Sequence, residues 1–375
     1  MKNNSGLEDI IKTEIKDGGP ITFERFMEMA LYYPGLGYYS SPATDIGIKG
    51  DFYTSPHLHP VFGKVLARQV EECWTAMGKP SEFIMVEQGA GKGYLAYDIL
   101  DYLSGREVYR SLRYVIIDVN PHMVDFQSDL LKRHKDKVEW QRDICELDSF
   151  TGCFLSNELL DAFPVHLVQM GDILKEVYVS LEDDDFVEAL DEPGSSNIEE
   201  YLNEFSISLE KGYRTEFNLR IRQWLKDVAG KMREGFIITV DYGYGARDYY
   251  SEERSRGTLM CYFRHQVKED PYMNVGMQDL TAHVNFSSVK KWGDKLGLKT
   301  LGFAGQGIYM VSMGLDEIIS EEYLGKDDYE VEVAKIKGLI MPSAMGESHK
   351  VMIQHKGPKE VKLRGFNIRN RVLTL

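Results

Sequence analysis

Two short stretches of this sequence hold residue types that could do chemistry. The first is Glu87-Gln88-Gly89-Ala90-Gly91-Lys92-Gly93, which follows the apolar run Phe83-Ile84-Met85-Val86. Glycines let a backbone pass close to a ligand and take positive φ, and a helix starting behind them offers free N–H groups. Asp118 closes a second apolar run, Tyr114-Val115-Ile116-Ile117. An acid at that point can accept hydrogen bonds from both hydroxyls of a ribose, so loop and acid in register point to a nucleoside cofactor. A plain structural turn and a surface acid at a strand end would account for the same residues without a ligand. The second stretch is Ser156-Asn157-Glu158-Leu159-Leu160-Asp161-Ala162-Phe163-Pro164-Val165. Glu158 and Asp161 could hold a cation and aim one of its nitrogens at a reaction partner, and the natural cation for a bidentate carboxylate is guanidinium. A lone Glu158 would read as a helix-start acid satisfying free N–H groups. With Asn157 beside it, after an apolar strand, a ligand site takes precedence, because doubly wound sheets bind ligands beyond the carboxyl ends of their strands.

These residues need a frame, and the apolar pattern supplies one. Strands are expected at Phe83–Val86, Tyr114–Ile117, Val138–Trp140, Cys153–Ser156 and Phe236–Val240, with helices from about Tyr94 and from Pro121 to about Arg133. Strands separated by helical patterns argue for right-handed crossovers and an α/β, doubly wound parallel sheet. Leu7, Ile10, Ile11 and Ile15, then Phe23, Phe26, Met27, Ala30 and Leu31, recur at helical spacing, and a further helix is expected over about Val61–Met77. Residues 1–80 therefore read as an amino-terminal helical cap and residues 81–375 as the sheet domain. Two insertions interrupt that domain after strands four and five: 166–225, with a hairpin of Val177-Tyr178-Val179 and Phe186-Val187, and the mostly irregular 242–283. Tyr309-Met310-Val311 and Lys350-Val351-Met352-Ile353 are expected as later strands.

The chain has 375 residues, 43% hydrophobic and 27% charged, which is the composition of a folded globular protein. Its formal net charge of −15 disfavours a nucleic-acid backbone as principal partner. No apolar run approaches the roughly 20 residues of a membrane-spanning helix, and the first residues have neither a secretory h-region nor a transit-peptide composition. Cys73, Cys145, Cys153 and Cys261 lie far apart without a CxxC pair, so no metal site is expected and a reducing, cytoplasmic setting is the default.

The spacing E-x-G-x-G-x-G departs from the dinucleotide fingerprint, in which the third glycine comes one residue later. It resembles the first motif of class I S-adenosylmethionine (SAM) methyltransferases. Over nearly the whole chain the sequence resembles the MidA-like family of SAM-dependent methyltransferases, which includes the mitochondrial complex I assembly arginine methyltransferase. The likeness rests on Tyr33-Pro34-Gly35-Leu36-Gly37-Tyr38-Tyr39, Gly50-Asp51-Phe52-Tyr53-Thr54-Ser55-Pro56, the Glu87–Gly93 loop, Asn157–Val165 and Asp241-Tyr242-Gly243-Tyr244. Gly257-Thr258-Leu259, Gln278–Phe286 and Met345-Gly346-Glu347 complete it. The resemblance implies a class I Rossmann-like methyltransferase fold and SAM as donor, with Glu87, Gly89, Gly91, Gly93, Asp118 and Asn157 toward the cofactor. For the mitochondrial member it implies symmetric dimethylation of an arginine in a respiratory complex I subunit, so an arginine-bearing protein is the expected partner. Ser156-Asn157-Glu158-Leu159-Leu160 also looks like the glutamate loop of symmetric arginine methyltransferases, which assigns Glu158, with Asp161, to the guanidinium. Ala90 stands where relatives often have Pro, and Asn285 where Asp is usual.

His283, in Thr281-Ala282-His283-Val284, is a catalytic candidate that could flank the arginine pocket or receive a proton; a structural hydrogen bond is the equal alternative. Asp241 could shape the pocket floor or cap a tight turn, and His265 reads as solvent-facing. Nine acids and no base between residues 181 and 200 could dock a basic substrate, but a solvated turn explains them better. Seven Lys/Arg against one Glu from Ser348 to Leu375 lack the aromatic pattern of a single-strand binder. A small-molecule methyltransferase and a non-catalytic SAM-binding assembly factor are the rival functions, with a dehydrogenase behind them. Whether the chain is a homodimer is left open.

Overall fold

The computed structural model describes residues 5–41, 55–264 and 266–375. Gly50 to Thr54 of the second motif, and His265, lie outside them. The chain divides into two compact units, one of residues 1–52, 160–223 and 244–288, the other of residues 53–159, 224–243 and 289–375.

The second unit is built on a sheet whose strands are β1 (Phe83–Gln88), β2 (Leu112–Ile117), β3 (Val138–Gln141), β4 (Phe150–Asn157), β5 (Met232–Tyr244), β6 (Lys299–Gly305) and β7 (His349–Lys356). They hydrogen-bond in the order β6-β7-β5-β4-β1-β2-β3. Pairing is parallel from β5 through β3, and β7 runs antiparallel to both β5 and β6. The strands read as continuous apolar runs because both faces are covered: Met85, Val86, Tyr114, Ile116, Cys153, Leu155, Phe236 and Ile238 are all buried. Helix Val61–Ala76 packs its Phe62, Val65, Leu66 and Val70 into the same core as Ile99 and Leu100 of helix Tyr94–Leu103.

The first unit has its own core. Helices Ser5–Gly18 and Phe23–Tyr32 set Leu7, Ile11, Phe23, Phe26 and Met27 against Leu167, Val177 and Val179 of an antiparallel sheet. That sheet is ordered Ile21–Thr22, Leu174–Glu182, His166–Met170, Arg214–Phe217, with Asp185–Asp191 completing the expected hairpin on Leu174–Glu182.

Three expectations are corrected. The boundary at residue 80 falls elsewhere: helix Val61–Ala76 lies with the sheet, while residues 160–223 and 244–288 join the amino-terminal helices in one unit. Tyr309-Met310-Val311 belongs to helix Gln306–Ser312, because β6 ends at Gly305, where the helix begins, and a short apolar run has no periodicity to separate helix from strand. Part of 242–283 is ordered: Met260–Phe263 is the centre of a small antiparallel sheet with Gln266–Lys268 and Asp279–Thr281.

Asp98 gives the second unit a pH-dependent stability. It sits on helix Tyr94–Leu103 against Gly63, where a Cβ would come within 2.4 Å of its own Cβ, and it is 9% exposed. Burial pushes its carboxyl up to about 7, with Lys64 opposing and Asp101 adding. The folded state therefore binds this proton more tightly than the unfolded one, so its stabilisation is complete below about pH 4 and is lost as pH rises through 7. Asp98→Asn cannot ionise. Its advantage over wild type should grow from pH 4 to pH 7.5 to on the order of 2–4 kcal/mol, read from paired denaturant titrations; an advantage that does not change with pH would refute the assignment.

Candidate functional site

β1 ends at Gln88, and the turn to helix Tyr94–Leu103 is made by Gly89, Gly91 and Gly93 with φ of +75°, +53° and +81°. Side chains are disfavoured there by conformation and by space, since a Cβ would lie 3.0 Å from Leu159 Cδ1 at Gly89 and 3.1 Å from Gln127 Cγ at Gly93. Asp118 follows β2. Its Oδ1 accepts from the Asn120 amide at 2.9 Å and its Oδ2 from Gln127 Nε2 at 2.8 Å, while burial raises its pKa. One bond to each oxygen leaves each able to accept a second.

Gln127 was not singled out in the sequence, yet it joins the two halves of the site. It is fully buried on helix Pro121–Leu130, its Nε2 also donates to the Gly91 carbonyl at 2.7 Å, and Trp140 Nε1 donates to its Oε1 at 2.9 Å. A glutamine inside a short helix carries no periodic signal, and only the fold brings it to loop and acid at once. Gln127→Ala should keep the fold and weaken cofactor affinity about tenfold, since one buried hydrogen-bonded group that orients two binding elements contributes roughly 1–2 kcal/mol. Calorimetric titration with S-adenosyl-homocysteine checks this, and an affinity unchanged from wild type would refute it.

Glu87 is buried, with Tyr114 Oη donating to its Oε2 at 2.6 Å, and desolvation lifts its carboxyl to about 7. Asn157 ends β4, its Nδ2 3.3 Å from Glu158 Oε1 and its buried Oδ1 without a hydrogen-bond partner among the described residues. A loop closed to side chains, an acid with spare acceptor capacity and an orphaned amide oxygen fit a cofactor with ribose hydroxyls and an ammonium group.

Glu158 follows with φ +49°, in the left-handed region that non-glycine residues rarely enter, and its amide donates to the Val240 carbonyl of β5 at 2.8 Å. Its side chain is 8% exposed. Oε1 faces the Ser55 amide at 3.3 Å, the Asn157 amide and, at 3.8 Å, His349 Nε2. Among the described residues Oε2 has no hydrogen-bond partner. His57 lies near enough for Glu158 to raise its pKa, although burial dominates and lowers it. Asp241, fully buried within the last residues of β5, accepts from the Tyr242 amide at 2.9 Å.

Asp161 and His283 belong to the first unit. Residues 160–162 are held there by three bonds: Asn218 Nδ2 to the Leu160 carbonyl (2.9 Å), the Ala282 amide to the Asp161 carbonyl (3.0 Å) and Tyr32 Oη to the Ala162 carbonyl (2.9 Å). Ala282 thus brings Asp161 and His283 into one neighbourhood. The motif Gly257-Thr258-Leu259 explains itself at this point. Buried Glu216 accepts from the Thr258 and Leu259 amides and from the Thr258 hydroxyl, and a Cβ on Gly257 would sit 2.2 Å from its Oε1. Thr258 Oγ1, so fixed, accepts the His283 amide at 3.0 Å, and the His283 ring lies 5.4 Å from Tyr244. Of the sequence-derived residues, Glu87, Gly89, Gly91, Gly93, Asp118, Asn157 and Glu158 gather at the carboxyl ends of β1, β2 and β4, while Asp161 and His283 form their own group in the other unit.

A sheet in this strand order, with antiparallel β7 inserted beside β5 and a glycine loop after the central strand β1, is the class I methyltransferase fold. The chain belongs to the family described as "Putative S-adenosyl-L-methionine-dependent methyltransferase", whose model matches residues 65–304. A Burkholderia thailandensis protein crystallised with S-adenosyl-homocysteine bound superimposes with a TM-score of 0.88 and 30% identity, covering 100% of this chain and 97% of that one. Human mitochondrial protein arginine methyltransferase NDUFAF7 is 26% identical over 369 residues, 89% of this chain and 80% of its own. The Drosophila melanogaster homologue is 24% identical over 389 residues, 94% of this chain and 86% of its own. The protein is a SAM-dependent methyltransferase.

Proposed function

We propose that this methyltransferase acts on an arginine side chain of a partner protein, with Glu158 as the guanidinium acceptor. SAM supplies an electrophilic sulfonium methyl group when bound. The remaining task is to hold a planar cation in register with it, because positioning and charge placement carry most of such a transfer. Glu158 carries the reading: a carboxylate nearly removed from water, held on a left-handed backbone beside the cofactor loop, with Oε2 unpartnered among the described residues. A guanidinium matches a carboxylate with two parallel N–H donors, which an ammonium cannot do. The arginine methyltransferase names of the relatives support the same chemistry. Asp161 and His283 are assigned to the protein substrate, and Asp118, Asn157 and the three glycines to the cofactor.

The test is to incubate the purified protein with methyl-labelled SAM and extract from cells lacking it, then hydrolyse and separate the labelled amino acids. Labelled methylarginine that requires the enzyme supports the reading. Label confined to free metabolites would replace it with small-molecule methylation.

A further inference from the structure

We infer that His349 is a catalytic residue of this site, paired with Glu158 and taking the proton that the methylated nitrogen sheds; this rests on the arginine reading above. His349 opens β7 opposite Tyr242 of β5, whose ring meets its own edge to face at 5.6 Å. The antiparallel course of β7 brings its first residue to the same end of the sheet as the last residues of β4 and β5. Met345-Gly346-Glu347 prepares that entry. The Gly346 amide donates to the Met341 carbonyl at 3.1 Å, a Cβ on Gly346 would lie 2.1 Å from the Ile340 carbonyl oxygen, and Glu347 is anchored by Arg371 at 2.5 Å.

Ser348 Oγ donates to the Ala344 carbonyl at 3.2 Å and lies 3.1 Å from His349 Nδ1. The tautomer with its N–H on Nδ1 satisfies both contacts at once and leaves the lone pair on Nε2. That atom is buried, has no hydrogen-bond partner among the described residues, and lies 3.8 Å from Glu158 Oε1. In this tautomer Nε2 and Glu158 Oε1 are two acceptors 3.8 Å apart that a donor between them would serve, and at this spacing one nitrogen can reach both. A guanidinium N–H meets the requirement. As the N–C bond forms and the donor's C–S bond breaks with its electron pair kept by sulfur, the nitrogen must lose a proton. His349 Nε2 takes it, Nδ1–H stays on Ser348, and the adjacent Glu158 carboxylate stabilises the imidazolium.

Two measurements on the full chain test this. Side-chain NMR of the protein saturated with S-adenosyl-homocysteine, with the His349 signal assigned by loss in His349→Gln, should show that signal moving on addition of N-methylguanidinium but not of methylammonium. The response should disappear in Glu158→Gln. Methyl transfer to extract proteins should fall about 100-fold in His349→Gln, the scale of a lost general base, with S-adenosyl-homocysteine affinity within about twofold of wild type. The slow His349→Ala variant should recover partly with added imidazole. Methylarginine formation within threefold of wild type in His349→Gln would overturn the assignment while leaving the arginine reading intact. If the wild type labels no arginine, the arginine reading fails, and absence of a guanidinium-specific shift at His349 overturns the pairing independently.

Discussion

Glu158→Gln is expected to bind S-adenosyl-homocysteine within about twofold of wild type and to transfer methyl groups about 10²–10³-fold more slowly, the range seen when one charge-stabilising group is removed from a water-poor site. The amide keeps the shape of the carboxylate and can still accept from the Ser55 amide through its oxygen. It loses the negative charge, and half of its polar face becomes an N–H pointed at a cation. The fall should appear in kcat as well as in kcat/KM, since the charge holds the guanidinium through the transition state. Glu158→Gly separates chemistry from backbone. It should be equally inactive yet more stable than Glu158→Gln by about 1 kcal/mol, because glycine relieves the left-handed φ of +49°. Unimpaired turnover in Glu158→Gln would refute the role, and equal stability of the two variants would refute the strain.

Asp118→Ala is expected to lower cofactor affinity by about 10²–10⁴-fold. Two hydroxyl donors to one ionised carboxylate contribute roughly 1.5–3 kcal/mol each when the acceptor is charged and buried. The substitution also removes the two carboxylate oxygens that the Asn120 amide and Gln127 Nε2 each donate to. Asp118→Asn retains acceptor capacity on one side and should lose only about tenfold. Burial raises the Asp118 pKa, so its charge is given up at a higher pH than for an exposed aspartate. Wild-type affinity should therefore weaken as pH falls through that raised value, and the Asn variant should lack this component. Calorimetric titrations with S-adenosyl-homocysteine over a pH series read both effects. An Ala variant that binds as wild type would remove Asp118 from the site.

The central strands, the glycine loop, Asp118 and Glu158 were legible in the sequence because each depends on local rules. Buried parallel strands are continuous apolar runs, three glycines close together mark a turn with positive φ, and an acid directly after a strand lies at the ligand edge of a doubly wound sheet. Gln127, His349 and the anchoring of His283 by Glu216 and Thr258 were not legible. Gln127 reaches its partners from a helix 9 residues beyond Asp118 and 36 beyond Gly91, and His349 reaches Glu158 only because the last strand runs antiparallel beside β5. Hydrogen bonds between residues far apart in sequence leave no periodic trace. The same holds for the division of the chain: Leu7, Val177 and Leu280 share one core although helices and strands of the other unit separate them. The sequence by itself determined the types of the central elements and the candidate cofactor edge, through period and turn chemistry. The tertiary structure alone decided which polar atoms meet there, because burial and acceptor pairing are properties of packed surfaces.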